Sequence, residues 1–182
     1  MSEAKLHLRV DGNEDDTLIQ GLIQTARADV ETISLHKLIT QTWDLYLDGF
    51  PGRSSIVIPH PPLQSVTGVY YTPSITAVEA NYSSANYYVD AISVPGWIVL
   101  VSTASWPSDE LIGVNGVRIR FVCGQGSAAS DVDARAIQAM KLLIGHYYEN
   151  REAVFMGRTN PTLLPMGVNN RCWDMRASVK EF

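Results

Sequence analysis

An α+β fold follows from three features of this 182-residue sequence. Apolar residues recur at helical spacing near both ends, they alternate at strand spacing through the middle, and Pro, Gly, Asn and Ser clusters separate the strand-like runs. Together they predict N- and C-terminal helices packed together, an inserted antiparallel β-rich module over about residues 40–123, and an extended C-terminal tail. A chain of this length is expected to form one domain, here residues 1–160, with irregular chain over 161–182.

Taking the elements in order, Ser2 is placed to cap a short helix over about residues 2–8. Asp11-Gly12-Asn13 breaks it, and the acidic run Glu14-Asp15-Asp16 opens a second helix over about 14–35, where carboxylates oppose the positive end of the helix dipole. Its apolar face is Ile19, Leu22, Ile23, Ala26, Val30 and Ile33. From Thr40 the period changes to two, with Trp43, Leu45 and Leu47 alternating with Thr42, Asp44 and Tyr46. Further strands are expected at 55–58, 66–72, 87–91, 97–101 and 117–123. In the last of these, Val117, Ile119, Phe121 and Cys123 face one way and Arg118 and Arg120 the other. Pro59, Pro61 and Pro62 make residues 58–63 a rigid link, because proline lacks the ladder donor. A third helix over about 131–152 is capped from Ser130 or Asp131 and buries Ala136, Ile137, Met140, Leu143, Ile144 and Tyr147. Beyond Gly157, Pro161, Pro165 and Gly167 predict irregular chain. That segment still carries Leu163, Leu164, Met166, Val168, Trp173 and Met175, which should dock on something, since leaving such side chains in water costs about 1 kcal/mol or more each.

Composition narrows the function. The net charge is −5, and it is uneven: residues 1–150 hold 9 basic and 16 acidic side chains, residues 151–182 hold 5 and 3. An acidic body argues against a duplex-binding surface, which needs clustered Lys and Arg to displace counterions. No apolar run is long enough for a membrane span, and Met1-Ser2-Glu3-Ala4-Lys5 lacks the apolar stretch of a signal peptide, so a cytoplasmic product with no membrane partner is expected. Cys123 and Cys172 are too few for a disulfide framework and read as free thiols.

No catalytic, cofactor or metal site is expected. Gly124-Gln125-Gly126-Ser127 precedes a helix, as a phosphate loop would, but the Asp131 and Asp133 that follow would repel a phosphate, and a plain turn is the stronger reading. His146 and Glu149 have the spacing of two metal ligands without the further ligands a metal requires. No serine stands in a nucleophile elbow, and Cys123 ends a strand on its apolar face. Arg118 and Arg120 beside Tyr70, Tyr71, Tyr87 and Tyr88 admit a base-stacking sheet, but a solvated face with cross-strand tyrosines fits an acidic chain better.

Several segments also stand in a telling order: Glu3-Ala4-Lys5-Leu6-His7-Leu8-Arg9-Val10-Asp11 before the acidic run; Ile39-Thr40-Gln41-Thr42-Trp43-Asp44-Leu45 with Leu47-Asp48-Gly49-Phe50-Pro51; and Pro59-His60-Pro61-Pro62-Leu63-Gln64-Ser65-Val66. Pro95-Gly96-Trp97-Ile98, the run Leu142-Leu143-Ile144-Gly145-His146-Tyr147-Tyr148-Glu149-Asn150-Arg151-Glu152-Ala153-Val154, and Leu164-Pro165-Met166-Gly167-Val168 follow. In this order and spacing the chain resembles the phage head-tail connector family, the adaptor or head-completion proteins of long-tailed phages. The resemblance implies a non-enzymatic virion protein of the neck that forms a homo-oligomeric ring, of twelve copies by family resemblance, beneath the portal protein. Such a ring extends the DNA channel and meets a downstream stopper or tail-completion protein, and DNA passes through without sequence-specific binding.

For the site residues, the resemblance implies a portal-docking tail of Leu163, Leu164, Pro165, Met166, Gly167, Val168 and Trp173. Contacts at the end of the third helix are expected from Tyr148, Glu149, Arg151 and Glu152. The bland alternatives are a tail that packs back on its own domain and local capping at the helix end. The competing functional class is a small ligand-binding or enzymatic module on the β insertion, which would need a concave site with convergent polar groups.

Overall fold

The computed structural model describes residues 1–150 and 166–176. Where chain length suggests one domain over 1–160, the apolar residues gather into two separate clusters, one in each of two compact units. The first unit is helical and brings together residues 1–38, 130–150 and 166–176; the second is β-rich and spans residues 39–129.

The helical unit contains α1 (Ser2–Leu8), α2 (Asp16–Ser34), α3 (Ala134–Glu149) and α4 (Met166–Arg176). α1 starts at Ser2 itself, so the expected serine cap is replaced by Met1, which offers no side-chain acceptor. The helix stops where Arg9 turns left-handed (φ 59°) and Val10 N–H donates back to Lys5 O at 3.0 Å. The expected stripe of α2 is buried: Ile19, Ala26 and Val30 fully, Leu22, Ile23 and Ile33 in part. At α3 the cap moves from Ser130 or Asp131 to Asp133, whose carboxylate accepts the Arg135 N–H at 2.8 Å, while Ala129–Asp131 form a short 3-10 turn. Ala136, Ala139, Leu143 and Ile144 of α3 complete the shared core.

Residues 166–176 are helical, which corrects the irregular tail expected there. Pro165 reads as a breaker, yet proline directly before or within the first turn costs no hydrogen bond, because those N–H groups have no intrahelical partner. Val168, Cys172 and Met175, at i, i+4 and i+7, are buried in the helical core. Burial accordingly pushes the Cys172 thiol above its ordinary value.

The β-rich unit has strands β1 (Gln41–Leu47), β2 (Ser55–Ile58), β3 (Leu63–Tyr71), β4 (Ala80–Tyr82), β5 (Tyr87–Asp90), β6 (Gly96–Leu100) and β7 (Val117–Cys123). They form an antiparallel four-stranded sheet, order β1-β7-β3-β4, and an antiparallel three-stranded sheet, order β2-β6-β5. Alternation on β7 is as expected, with Val117, Ile119, Phe121 and Cys123 buried. Opposite them lie Leu47, Leu45 and Trp43 on β1 and Val69 and Val66 on β3. Ile56, Ile58 and Ile98 from the smaller sheet join the same core. Gly96 permits the close approach: a Cβ there would stand 2.6 Å from the Leu63 Cβ. Strand β4 was not legible, since three residues in a Ser- and Asn-rich stretch offer no alternation to read. Residues 59–62 link β2 to β3 without adding a strand, as their prolines require. Among the described residues, no helix is long and apolar enough to cross a membrane.

Candidate interaction surfaces

Opposite its buried side chains, β7 carries Arg118 and Arg120. Arg120 grips Asp44 with a two-pronged pair, Nε to Oδ1 at 2.8 Å and Nη2 to Oδ2 at 2.7 Å. Arg118 grips Glu79 in the same way at 2.8 and 2.6 Å, touches Asp44 Oδ1 at 3.4 Å, and lies over the Tyr70 ring at 4.3 Å. Strand register makes this possible, because Asp44 faces Arg120 and Tyr46 and Tyr70 flank Arg118 from either side. The paired guanidinium of Arg120 holds Asp44 below the usual carboxylate range, and that of Arg118 does the same for Glu79.

Two arginines so neutralised present no net positive charge to phosphates, so the solvated-face reading prevails over base stacking. The tyrosines do not form one platform either. Tyr70 lies under Arg118, Tyr71 packs at the core, Tyr87 is buried, and Tyr88 is exposed on the other sheet.

Gly124-Gln125-Gly126-Ser127 is a turn. Gly124 takes φ +123°, a conformation that suits glycine, and its N–H donates to Pro62 O at 2.9 Å. Its carbonyl accepts from Gln64 Nε2 at 2.8 Å, and Gly126 O accepts the Thr40 N–H at 2.9 Å. Backbone groups committed in this way fasten the turn to strand starts. His146 lies near Asn150, with Nδ1 and Nδ2 at 3.4 Å, and its carbonyl accepts from the same amide at 2.9 Å. Among the described residues, no group of three or more His, Cys, Asp or Glu side chains is placed to hold a metal.

Of the expected helix-end contacts, Tyr148 is half-buried and its hydroxyl donates to Asp15 Oδ2 within its own chain. Neighbouring Tyr147 donates to Asp29 Oδ2 at 2.8 Å, and burial, then the Asp29 carboxylate, push its hydroxyl up to about 12. These two hydroxyls tie the end of α3 to α2. Glu149 is exposed, and Arg151 and Glu152 lie outside the described residues.

Of the expected tail, Leu163, Leu164 and Pro165 also lie outside the described residues, and Met166 opens α4. Gly167 is exposed beside Leu142, where an added Cβ would meet Cδ1 at 3.4 Å. Val168 is fully buried in its own helical unit, so it packs back on its own chain and cannot reach a partner. Trp173 does point out, 65% exposed, with the Arg176 guanidinium 5.7 Å from its ring centre. Arg176 joins Trp173 only because the segment is helical, which sets residues three apart side by side; chain expected to be irregular offers no such grouping.

Residues 1–71 match the model of the family described as Phage gp6-like head-tail connector protein. The span covers α1, α2 and β1 through β3, so the quoted segments around 142–154 and 164–168 lie beyond it. Among solved structures, the whole chain matches 89% of a chain in the neck of an empty gene transfer agent (GTA) particle computed with C6 symmetry, at 22% identity and TM-score 0.80. It matches 89% of a chain in the virion of a native GTA particle at 22% identity and TM-score 0.78. A chain in the neck of a native GTA particle computed with C12 symmetry is matched over 88% of its length, at 22% identity and TM-score 0.76. These likenesses extend the shared fold beyond residue 71 to the full chain. No curated protein sequence matches it.

Proposed function

We propose that this chain is a structural virion protein, a head-tail connector that forms a ring beneath the portal, extends the DNA channel and links the capsid to the neck and tail. The observation that carries the reading is the coincidence of the connector-family match over residues 1–71 with a whole-chain fold likeness to neck components of GTA particles. The charge supports it: 16 acidic against 9 basic side chains over residues 1–150 would discourage DNA from adhering to a lumen that they line. The self-neutralised Arg118, Arg120, Asp44 and Glu79 face is in keeping with a surface that DNA passes without being held.

The partners under this proposal are the portal protein, further copies of the chain in a ring of twelve, and a downstream stopper or tail-completion protein. Portal docking falls to Leu163, Leu164, Pro165, Met166, Gly167 and Trp173, because Val168 is committed to the helical core. Electron microscopy of purified particle necks tests the reading. The expected result is a ring of this chain directly beneath the portal, and particles that contain no such ring would overturn it. Leu163→Asp with Leu164→Asp should leave the helical signal intact and abolish attachment to portal-bearing capsids. Attachment unaffected by the double change would remove the docking role.

A further inference from the structure

The two ends of the β-rich unit differ in what they expose. Strand β7 runs from Val117 to Cys123, and the chain enters and leaves the unit beside Cys123, where Gln41 pairs with that residue and Ile39 bridges to Gly126. At the opposite end, beyond Tyr71 and Val117, two loops project: residues 72–79 between β3 and β4, and residues 101–116 between β6 and β7. Backbone hydrogen bonds join them, from Thr72 N–H to Gly116 O at 2.8 Å, Ile112 N–H to Thr72 O at 3.1 Å and Ser74 N–H to Glu110 O at 2.7 Å. Inside the first loop Ala77 N–H donates to Pro73 O at 2.9 Å, and Ala77 takes φ 49°, a left-handed conformation that alanine holds only where its surroundings impose it. Arg118 fixes the last residue of that loop, Glu79.

The fastened loops present β-branched side chains to solvent: Ile75 is 93% exposed, Val78 68% and Val114 67%. The other end offers a comparison in Ile92, 95% exposed, the one large apolar side chain exposed on the turn before Gly96, which packs on Leu63 opposite Cys123. One exposed aliphatic is ordinary, whereas three on a loop pair already held in shape can be buried by a partner with little ordering cost. Charge around these loops has one sign. Residues 54–117 contain no Lys or Arg, while Glu79, Asp90, Asp109 and Glu110 fall among them. Of the two bases that flank this stretch, Arg118 is paired with Glu79 and Asp44, and Arg53 lies over the Trp97 ring of the smaller sheet. Asp109 and Glu110 are exposed, as is Asp48, whose Oδ1 accepts the Asn115 N–H at 3.0 Å.

We propose that this end of the β-rich unit docks, through Ile75, Val78 and Val114, into an apolar groove edged with Lys and Arg on a different protein. Charge selects the occupant. Phosphates are repelled, which disfavours DNA. A second copy is disfavoured for the same reason, since acidic side chains outnumber basic ones in both units, six to three over residues 39–129 and eleven to eight over residues 1–38, 130–150 and 166–176. In such a contact the aliphatic tips supply affinity by leaving water, and the acidic rim supplies register and a faster encounter. The inference rests on the connector reading, which supplies a neighbouring protein in the particle, and it leaves the portal-docking residues as they stand.

Photo-cross-linking in purified particles tests it, with p-benzoylphenylalanine in place of Ile75 and, for comparison, in place of Ile92. The expected product at position 75 joins this chain to one different particle protein, at an apolar site with basic side chains around it, and is absent at position 92. A product that joins two copies of this chain, the same product at both positions, or no product at position 75 would each overturn the contact. Ile75→Asp with Val78→Asp should reduce the amount of the cross-linked protein retained in particles about tenfold or more, Asp109→Lys with Glu110→Lys should reduce it less, and Ile92→Asp should leave it unchanged. Unchanged circular dichroism in each variant establishes that folding is not the cause, and wild-type retention in the Ile75→Asp, Val78→Asp variant would overturn the contact. Particles that lack this chain altogether would remove the connector reading and this contact with it, whereas particles that hold the chain but give no product at position 75 would remove the contact alone.

Discussion

The helical and β-rich units solve the same burial problem with chain drawn from different places. The β-rich unit takes one continuous stretch, residues 39–129, and fills its core largely from neighbouring strands and an aromatic group in which Phe50 stacks on Trp106 at 4.9 Å and Tyr82 lies 5.5 Å from Trp106. The helical unit gathers both ends of the chain, and its core is incomplete without Val168, Cys172 and Met175 of α4. The contrast teaches that Val168, Cys172 and Met175 are structural before they are anything else. Within α4 it confines outward-acting roles to the side chains that the helix leaves exposed.

The largest expected effect separates the two cores. Phe121→Ala should cost the β-rich unit about 3–5 kcal/mol, and Leu143→Ala should cost the helical unit about 2–5 kcal/mol, because each side chain is fully buried or nearly so. In a Trp173→Phe background, tryptophan fluorescence follows the β-rich unit, which holds Trp43, Trp97 and Trp106, while ellipticity at helical wavelengths follows the other. Each substitution should move its own signal first, and two signals that always move together would show one cooperative unit.

Glycines provide a sharper contrast. Gly96→Ala forces a Cβ against Leu63 and should destabilise the β-rich unit by about 1–3 kcal/mol in a denaturant titration. Gly21→Ala on the exposed side of α2 meets nothing within 4 Å and should stabilise the helical unit by up to about 1 kcal/mol in the same titration. If both changes act in the same direction, the close approach at Gly96 is not what limits that site.

The smallest effect is in acid. Burial raises the Glu31 carboxyl, but the Leu38 N–H and the Arg27 and Lys37 side chains outweigh it, so the folded value lies below the ordinary one. Its contribution is therefore complete above the unfolded value near pH 4.5 and is lost as pH falls through the lower folded value. Glu31→Gln should flatten the acid-induced fall in helical ellipticity below that pH and leave the β-rich signal unaltered. An unchanged acid profile would mean that Glu31 does not link folding to pH.

Periodicity made much of the fold legible. The alternation of β7, the stripes of α2 and α3 and the proline link at 59–62 are local patterns, because a side chain's direction on a regular backbone depends only on its position in the repeat. Two things escaped. Strand β4 is too short for a pattern, and α4 was masked by Pro165 and Gly167, which mark a break in one context and a helix start in another. The helical direction of Val168, Cys172 and Met175 emerges only when a core exists to receive them. The same core decides which residues are left for partners: Val168 in, Trp173 out.

By itself, then, the sequence determined the order of the first three helices and of six of the seven strands, the acidic balance and the likeness to connectors. Tertiary structure alone decided that Arg118 and Arg120 are neutralised by Asp44 and Glu79, that Tyr147 and Tyr148 bind α2, and that the C-terminal helix completes a core begun at the N-terminus. The physical reason is distance along the chain. Hydrophobic periodicity is written in neighbours a few residues apart, whereas Arg118 meets a partner 74 residues away and Tyr148 one 133 residues away, and only folding brings such groups into contact.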